Sequence, residues 1–336
     1  MRFFIGLILG SALWMTACKE APKSGETKNF SPASLDSLIN VYPDSVSLRL
    51  KRGNQLMEEY KFDEALADAA RAFRLDSNRI ECRILYAEAM INKINRTASD
   101  LFRAQSIYQL AVKKYPKNLE ALVGLANTYS MLEDYEMSFK YINKALRINP
   151  KYRDAYVLKG TNYRNMGNFK LAVSSYETAV QQDPEFVGGY LMLGSLYQWK
   201  NDPICIEKYT TAYQLDPKNP DVIYALAYAK QVFGKEDAAM VLYRKMAKLD
   251  SSYYDAWFQM GYIHQFSKNN LDSAMFYYDK VLDTQPKHIQ SLHNIGLIYE
   301  DKNDITNALF SYAKVLKIDP EFELTKERVE VLKKKR

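Results

Sequence analysis

Small and apolar positions recur along this chain with helical spacing and, over it, a period of about 34 residues. One series of small residues is Gly53, Ala87, Ala126, Gly160, Gly194, Ala227, Gly261 and Gly296, with steps of 34, 39, 34, 34, 33, 34 and 35. A second, Ala65, Ala104, Ser138, Ala172, Cys205, Ala239, Ala274 and Ala308, keeps the same rhythm. A third runs Ala72, Ala111, Ala145, Ala179, Ala212, Met246, Val281 and Val315. Prolines 116, 150, 184, 217, 286 and 320 close the units, because proline cannot continue a helix interior. Four series in register predict paired helices stacked in an array, each pair packing on its neighbours.

The pattern resembles the tetratricopeptide repeat (TPR). In the fourth unit Tyr156, Gly160 and Tyr163 lie on a first helix, followed by Ala172, Tyr176 and Ala179 on a second and by Pro184. The expected fold is therefore all-α: a right-handed TPR α-solenoid of about eight helix-turn-helix repeats, at 46–79, 80–118, 119–152, 153–186, 187–219, 220–253, 254–288 and 289–322. The second repeat carries extra residues near Lys93 to Ser99, the fifth is one short around Asp202-Pro203, and the seventh is one long around Lys268 to Asn270. Residues 31–45 read as an N-terminal capping helix with Leu35, Leu38 and Ile39 on one face. Residues 323–336 read as a C-terminal capping helix and basic tail, with Leu324, Val329 and Leu332 covering the last pair.

Ahead of the repeats the pattern changes. Arg2, an apolar run from Phe3 to Trp14, and Met15-Thr16-Ala17-Cys18 describe a secretory signal over 1–17, since a bilayer span needs about 20 apolar residues. Met-Thr-Ala-Cys resembles the bacterial lipobox, with Met15 where leucine is usual. The resemblance implies lipidation at Cys18, and acyl chains that bury methylenes at about 0.8 kcal/mol each would hold the chain on a membrane. Residues 18–30 then read as the lipidated cysteine and a flexible tether. Lys19, in place of Asp, implies the outer membrane by the sorting rule of Gram-negative lipoproteins; the side that the body faces is open.

Composition changes this picture little. Hydrophobic residues make up 47 %, and Lys+Arg (46) and Asp+Glu (40) are interspersed to a net charge of +6, without the concentrated basic face of a nucleic-acid protein. No GxxxxGK[ST] or GxGxxG phosphate loop appears, and His264, His288 and His293 form no HExxH pair. The expectation is a protein that is not an enzyme, with no cofactor and no metal. Cys82 and Cys205 read as small buried apolar residues.

The resemblance implies that first helices line a concave binding surface. Mapped onto this chain, the groove positions are Asn127 in repeat three; Thr161 and Arg164 in four; Ser195 and Gln198 in five; Tyr224, Tyr228 and Gln231 in six; Phe258, Tyr262 and Gln265 in seven; and His293 in eight. Aromatics interleaved with amides suit an extended backbone. The basic groove with which chaperone-binding relatives hold a terminal carboxylate is not matched, since Leu50, Glu120 and Asp154 fall near that surface. The expected function is a membrane-anchored scaffold for envelope proteins or peptides; the alternative is surface glycan binding by the same aromatics. Oligomeric state is open.

Overall fold

The computed structural model describes residues 32–334. The signal over 1–17, Cys18 and the tether lie outside the described residues, as do the last two positions of the basic tail. Among the described residues there are eighteen α-helices, one short π-helical turn and no strand. The chain divides into two compact units, Met1–Met192 and Leu193–Arg336, at a point inside α10 (Val187–Trp199).

In the first unit α1 (Pro32–Val41) precedes four helical hairpins: α2 (Val46–Glu58) with α3 (Phe62–Leu75), α4 (Ile80–Asn92) with α5 (Ala98–Lys114), α6 (Leu119–Met131) with α7 (Tyr135–Ile148), and α8 (Arg153–Asn165) with α9 (Phe169–Gln182). In the second unit α11 (Ile204–Leu215) is followed by α12 (Pro220–Val232) and α13 (Glu236–Leu249), α14 (Tyr254–Tyr262) and α15 (Leu271–Thr284), α16 (Ile289–Asp301) and α17 (Ile305–Ile318), and the closing α18 (Glu323–Lys333). This is the α-solenoid architecture that the sequence period implies.

The small-residue series form the spine of each unit. All eight members of the second series, from Ala65 to Ala308 and including Ser138 and Cys205, are completely buried. Their role is close approach. An added methyl at Gly296 would meet Tyr312 Cε1 at 2.3 Å, so a side chain there would force the helices of that hairpin apart. Cys82 and Cys205 are free and buried, and burial pushes both thiols up to about 11.

Local chemistry starts and stops the helices. Asn118, Asp134, Asn168, Asn270 and Asp304 each cap a helix by accepting from a backbone N–H three residues on. Thr97 and Asp100 form a reciprocal capping box at the start of α5. At the other end, most first helices close on a residue in the left-handed region: Tyr60, Glu133, Gly167, Asn201, Gly234, Asn269 and Asn303, with φ from 50° to 74°. Except after Asn269, the N–H of the following residue bonds back five positions, as from Asn168 N to Tyr163 O at 2.8 Å and from Asp304 N to Tyr299 O at 2.8 Å, which satisfies a carbonyl that the helix end would otherwise orphan.

Two expectations need correction. The extra residue of the seventh repeat is not held in the turn alone: Ile263–Ser267 form a π-helical turn that continues α14, and Asn270 N bonds back to His264 O at 2.8 Å. A wider helical turn absorbs one residue without breaking the packing on either side. In the C-terminal cap, Leu332 is fully buried and Val329 packs on the last hairpin, but Leu324 is 45 % exposed. Thr325 occupies the buried place beside it, because its hydroxyl bonds His293 Nδ1 at 2.8 Å.

Candidate functional site

The first-helix face of the first unit holds a cleft of about 240 Å³. Its apolar surface comes from Leu50, Ile84, Ile91, Val123 and Val157, with the rings of Tyr108, Tyr152 and Phe186. Around these stand Asn54, Asn92 and Asn127, the carboxylates of Glu81, Glu88, Glu120 and Asp154, and one guanidinium, that of Arg79. Most of these residues come from four successive first helices, α2, α4, α6 and α8, while Tyr108 is supplied by α5 and Arg79, Tyr152 and Phe186 by the turns before first helices. That is why side chains far apart in sequence converge: stacking brings the same face of each hairpin into line.

Electrostatics give the cleft its character. Arg79 Nε pairs with Glu81 at 3.2 Å, and Arg153 pairs with both Asp154 and Asp183 at 2.6 Å while lying over the Phe186 ring at 4.6 Å. Glu120 is exposed and forms no ion pair among the described residues. Burial, reinforced by Glu88 and Glu120, pushes the Tyr108 hydroxyl far above its ordinary range; burial, then Asp154 and Glu120, does the same at Tyr152. Asn127 is 7 % exposed, and its Oδ1 has no hydrogen-bond partner. A buried amide oxygen without a partner costs free energy that an incoming donor would recover.

Of the positions assigned from sequence, Asn127 alone lines this cleft. In the same unit Thr161 is buried, its hydroxyl 3.0 Å from Tyr176 Oη, while Arg164 is half-buried beside Asn165. In the second unit Ser195 is exposed, and Tyr224 and Tyr228 stack nearly parallel with centroids 6.0 Å apart. Phe258 is half-buried against Tyr278 and His288; Tyr262 is 42 % exposed and contacts Phe266, also exposed, at 4.6 Å.

The amides behave differently from the aromatics. Tyr209 donates to Gln198 Oε1 at 2.9 Å, Tyr243 to Gln231 Oε1 at 2.8 Å, and Tyr278 to Gln265 Oε1 at 2.9 Å. In the last repeat Glu300 takes the place of the glutamine and accepts from Tyr312. The chain extends further around Gln231, whose Nε2 donates to Gln259 Oε1 at 3.0 Å, and Gln259 in turn donates to the Tyr224 hydroxyl at 3.2 Å. These glutamines satisfy the hydroxyls of large, buried second-helix tyrosines. His288 likewise serves structure, capping α16 through Nδ1.

His293 is 8 % exposed, lies against the Tyr312 and Phe322 rings, and bonds Thr325. Burial, with help from Arg328, lowers its pKa to about 4. An unfolded histidine titrates near 6.5, so below that pH the unfolded chain takes up a proton that the folded chain refuses. The contribution is complete above about pH 6.5 and is lost as pH falls toward 4, a differential of about 3 kcal/mol. His293 should therefore titrate near pH 4 by its ring-proton NMR signal, and protection of α18 against hydrogen exchange should fall across the same window. A midpoint above 6 would contradict the burial argument.

The hairpins, their small-residue spine and their phase define an all-helical repeat protein. Four of the repeats match the tetratricopeptide-repeat family model, at residues 119–152, 154–186, 254–288 and 289–322. Among solved structures, the C-terminal part of a TPR repeat-containing protein from Cytophaga hutchinsonii is 19 % identical with a TM-score of 0.59, the match covering 73 % of this chain and 98 % of that one. The human IFIT1 dimer with m7Gppp-AAAA is 18 % identical with a TM-score of 0.56, over 85 % of this chain and 77 % of that one. The APC/C hetero-tetramer Cut9-Hcn1 is 17 % identical with a TM-score of 0.55, over 89 % and 58 % respectively. At these identities the likeness is one of fold. No curated protein matches the chain in sequence.

The acidic cleft was not assigned from sequence. A signal for it exists: Glu81, Glu120 and Asp154 stand second in three successive first helices, as Asp221 and Asp255 do in later ones. At a helix start such acids also favour the positive end of the helix dipole, so the series reads equally well as capping. Among the described residues no group of three or more His, Cys, Asp or Glu is placed to hold a metal ion, and no helix is long and apolar enough to cross a membrane.

Proposed function

We propose that this protein is an adaptor of the bacterial cell envelope, anchored at the outer membrane by lipid on Cys18, which holds extended segments of partner proteins on its first-helix face. The observation that carries the binding half is the cleft that spans Leu50 to Phe186, with its apolar floor, convergent polar groups and the unpartnered Asn127 Oδ1. Exposed Tyr262 and Phe266 add an apolar contact surface of the kind that protein partners cover. The anchoring half rests on Met15-Thr16-Ala17-Cys18 and the polar stretch after it. Glycan binding is not carried forward, because Gln231 and Gln265 already have both amide ends engaged within the protein.

Selection of a displayed random-peptide library on the detergent-solubilised full chain tests the binding half. Enriched peptides should lose binding to Asn54→Arg, which alters the cleft, and keep it with Leu110→Arg, a change at an exposed second-helix position. Retention by the first variant and loss by the second would place binding elsewhere. For the anchoring half, Cys18→Ser should abolish incorporation of labelled fatty acid and release the chain from the membrane fraction; persistence of the label would refute lipidation at that residue.

A further inference from the structure

A second first-helix surface, on the unit Leu193–Arg336, carries chemistry of its own; as a docking face it rests on the binding reading proposed above. Two adjacent first helices repeat one pattern at i, i+3 and i+7: Asp221, Tyr224 and Tyr228 on α12, and Asp255, Phe258 and Tyr262 on α14. That spacing puts each trio on one side of its helix. The next first helix, α16, has Gln290, His293 and Leu297 in these places and carries no acid there. The two rows meet. Gln259 of α14 donates to the Tyr224 hydroxyl at 3.2 Å, and burial, with the Asp255 carboxylate close by, pushes that hydroxyl up to about 12. Tyr228 stacks on Tyr224 at 6° from parallel, and Tyr262 is near enough to raise the Tyr228 hydroxyl as well. Exposed Tyr262 and Phe266 continue the surface on α14 and its π-helical turn.

Among the described residues neither the Asp221 nor the Asp255 carboxylate has a hydrogen-bond or ion-pair partner. Water reaches both, yet burial raises the pKa of each and no cation offsets it. Their place in the first turn of a helix offsets that cost only in part. An anionic guest would meet repulsion. A purely apolar guest would cover the rings but dry the carboxylates further, at a cost. A second copy of this chain, packed face to face about a two-fold axis, would set these acids against their own counterparts. A guanidinium suits both components: it pairs with carboxylates through a planar fork and stacks on aromatic rings, whose faces attract cations.

We propose that the α12–α14 face docks an arginine from an extended segment of a partner protein. Its guanidinium lies at the Asp221 and Asp255 end, against the Tyr224–Tyr228 stack, and an apolar residue of the same segment covers Tyr262 and Phe266. Asp255 and Tyr262 are seven residues apart on α14, about 10 Å along its axis. Three residues of extended chain cover about the same length. The arginine and the apolar residue therefore stand about three positions apart in the guest.

The test is fluorescence anisotropy of a labelled Gly/Ser peptide that carries one arginine and, three positions on, one phenylalanine, titrated with the detergent-solubilised full chain. The same peptide with glutamate for arginine, and free spermine as competitor, are the comparators. The arginine peptide should bind and the glutamate peptide should not, with affinity falling between about 50 and about 300 mM salt. Asp255→Asn should weaken binding about tenfold and flatten the salt dependence, as expected for loss of one charge-assisted contact. Asp221→Asn with Asp255→Asn should weaken it further while the helical circular-dichroism signal is unchanged. Tyr262→Ser should lower affinity about threefold and leave the salt dependence as in the parent. Equal binding of the two peptides, or an unchanged affinity in the double variant, would overturn the proposal. Spermine displacing the peptide at equal concentration would make this a small-polyamine site and overturn it too. Asn54→Arg, in the cleft of the other unit, should leave this peptide's affinity unaltered; loss there would move the arginine to the cleft and overturn the assignment. Library peptides that depend on Asn54 while the arginine peptide fails to bind would leave the cleft reading standing and remove this one, so the two fail separately.

Discussion

Replacing Tyr278 with alanine is expected to cost about 4 kcal/mol locally, and Tyr278→Phe about 2 kcal/mol. Tyr278 on α15 is completely buried, and its ring fills the space that Gly261 leaves open, where an added methyl would meet it at 2.7 Å. Its hydroxyl donates to Gln265 Oε1 at 2.9 Å and accepts from Asn294 Nδ2 at 2.9 Å, so one atom ties the seventh hairpin to the first helix of the eighth. Alanine removes the ring and leaves a cavity; phenylalanine keeps the ring but leaves two buried amide groups unpaired. The stability of a repeat array is a sum of hairpin and interface terms rather than a single transition, so the measurement should be local. Hydrogen exchange should show lost protection in α14, α15 and α16. A phenylalanine variant as stable as the parent would show that the hydroxyl network contributes nothing.

The second large effect is expected at Asp68, where alanine should cost about 3 kcal/mol, the lower end of the range for a broken buried ion pair. Asp68 on α3 is 2 % exposed and accepts from Arg49 Nη1 at 2.9 Å and from Arg52 Nε and Nη2 at 2.6 and 2.7 Å. Arg52 also reaches Asp36 on α1 at 2.5 Å, and these carboxylates raise its pKa further. Removing Asp68 leaves two guanidinium groups that are only partly exposed, so water can compensate them in part. Arg52 also loses the anchor that holds it toward Asp36. Exchange protection should drop first in α1, α2 and α3, and Asp68→Asn should recover about half of the loss by keeping acceptor contacts. Uniform destabilisation of α16 and α17 would count against this account.

The helix pairs were legible because small residues must recur where helices touch, and Ala65, Ala104, Ser138 and their equivalents all lie buried as that requires. Repeat seven shows a limit: a one-residue excess was visible, but whether a turn or a π-helical segment holds it depends on packing at both ends. The C-terminal cap shows another. Leu324 looked apolar enough to cover the last hairpin, yet Thr325 lies inside, because a partner for its hydroxyl was waiting at His293. For the binding face, periodicity assigned Gln198, Gln231 and Gln265 to a groove but carried no information on the tyrosine hydroxyls that reach them. The acids of the first unit were visible as individual residues and invisible as a set.

By itself, the amino-acid order determined that this chain builds helical hairpins in register, where each hairpin begins, and which positions must stay small. These follow from contacts within about forty residues, which a regular period encodes. The tertiary structure alone decided which polar side chains on the first helices remain available: a glutamine becomes a packing group when a hydroxyl lies 2.8–2.9 Å away, and four distant carboxylates become one acidic cleft when successive hairpins stack. Both outcomes turn on distances finer than the rise of a single residue, and helical periodicity does not resolve them.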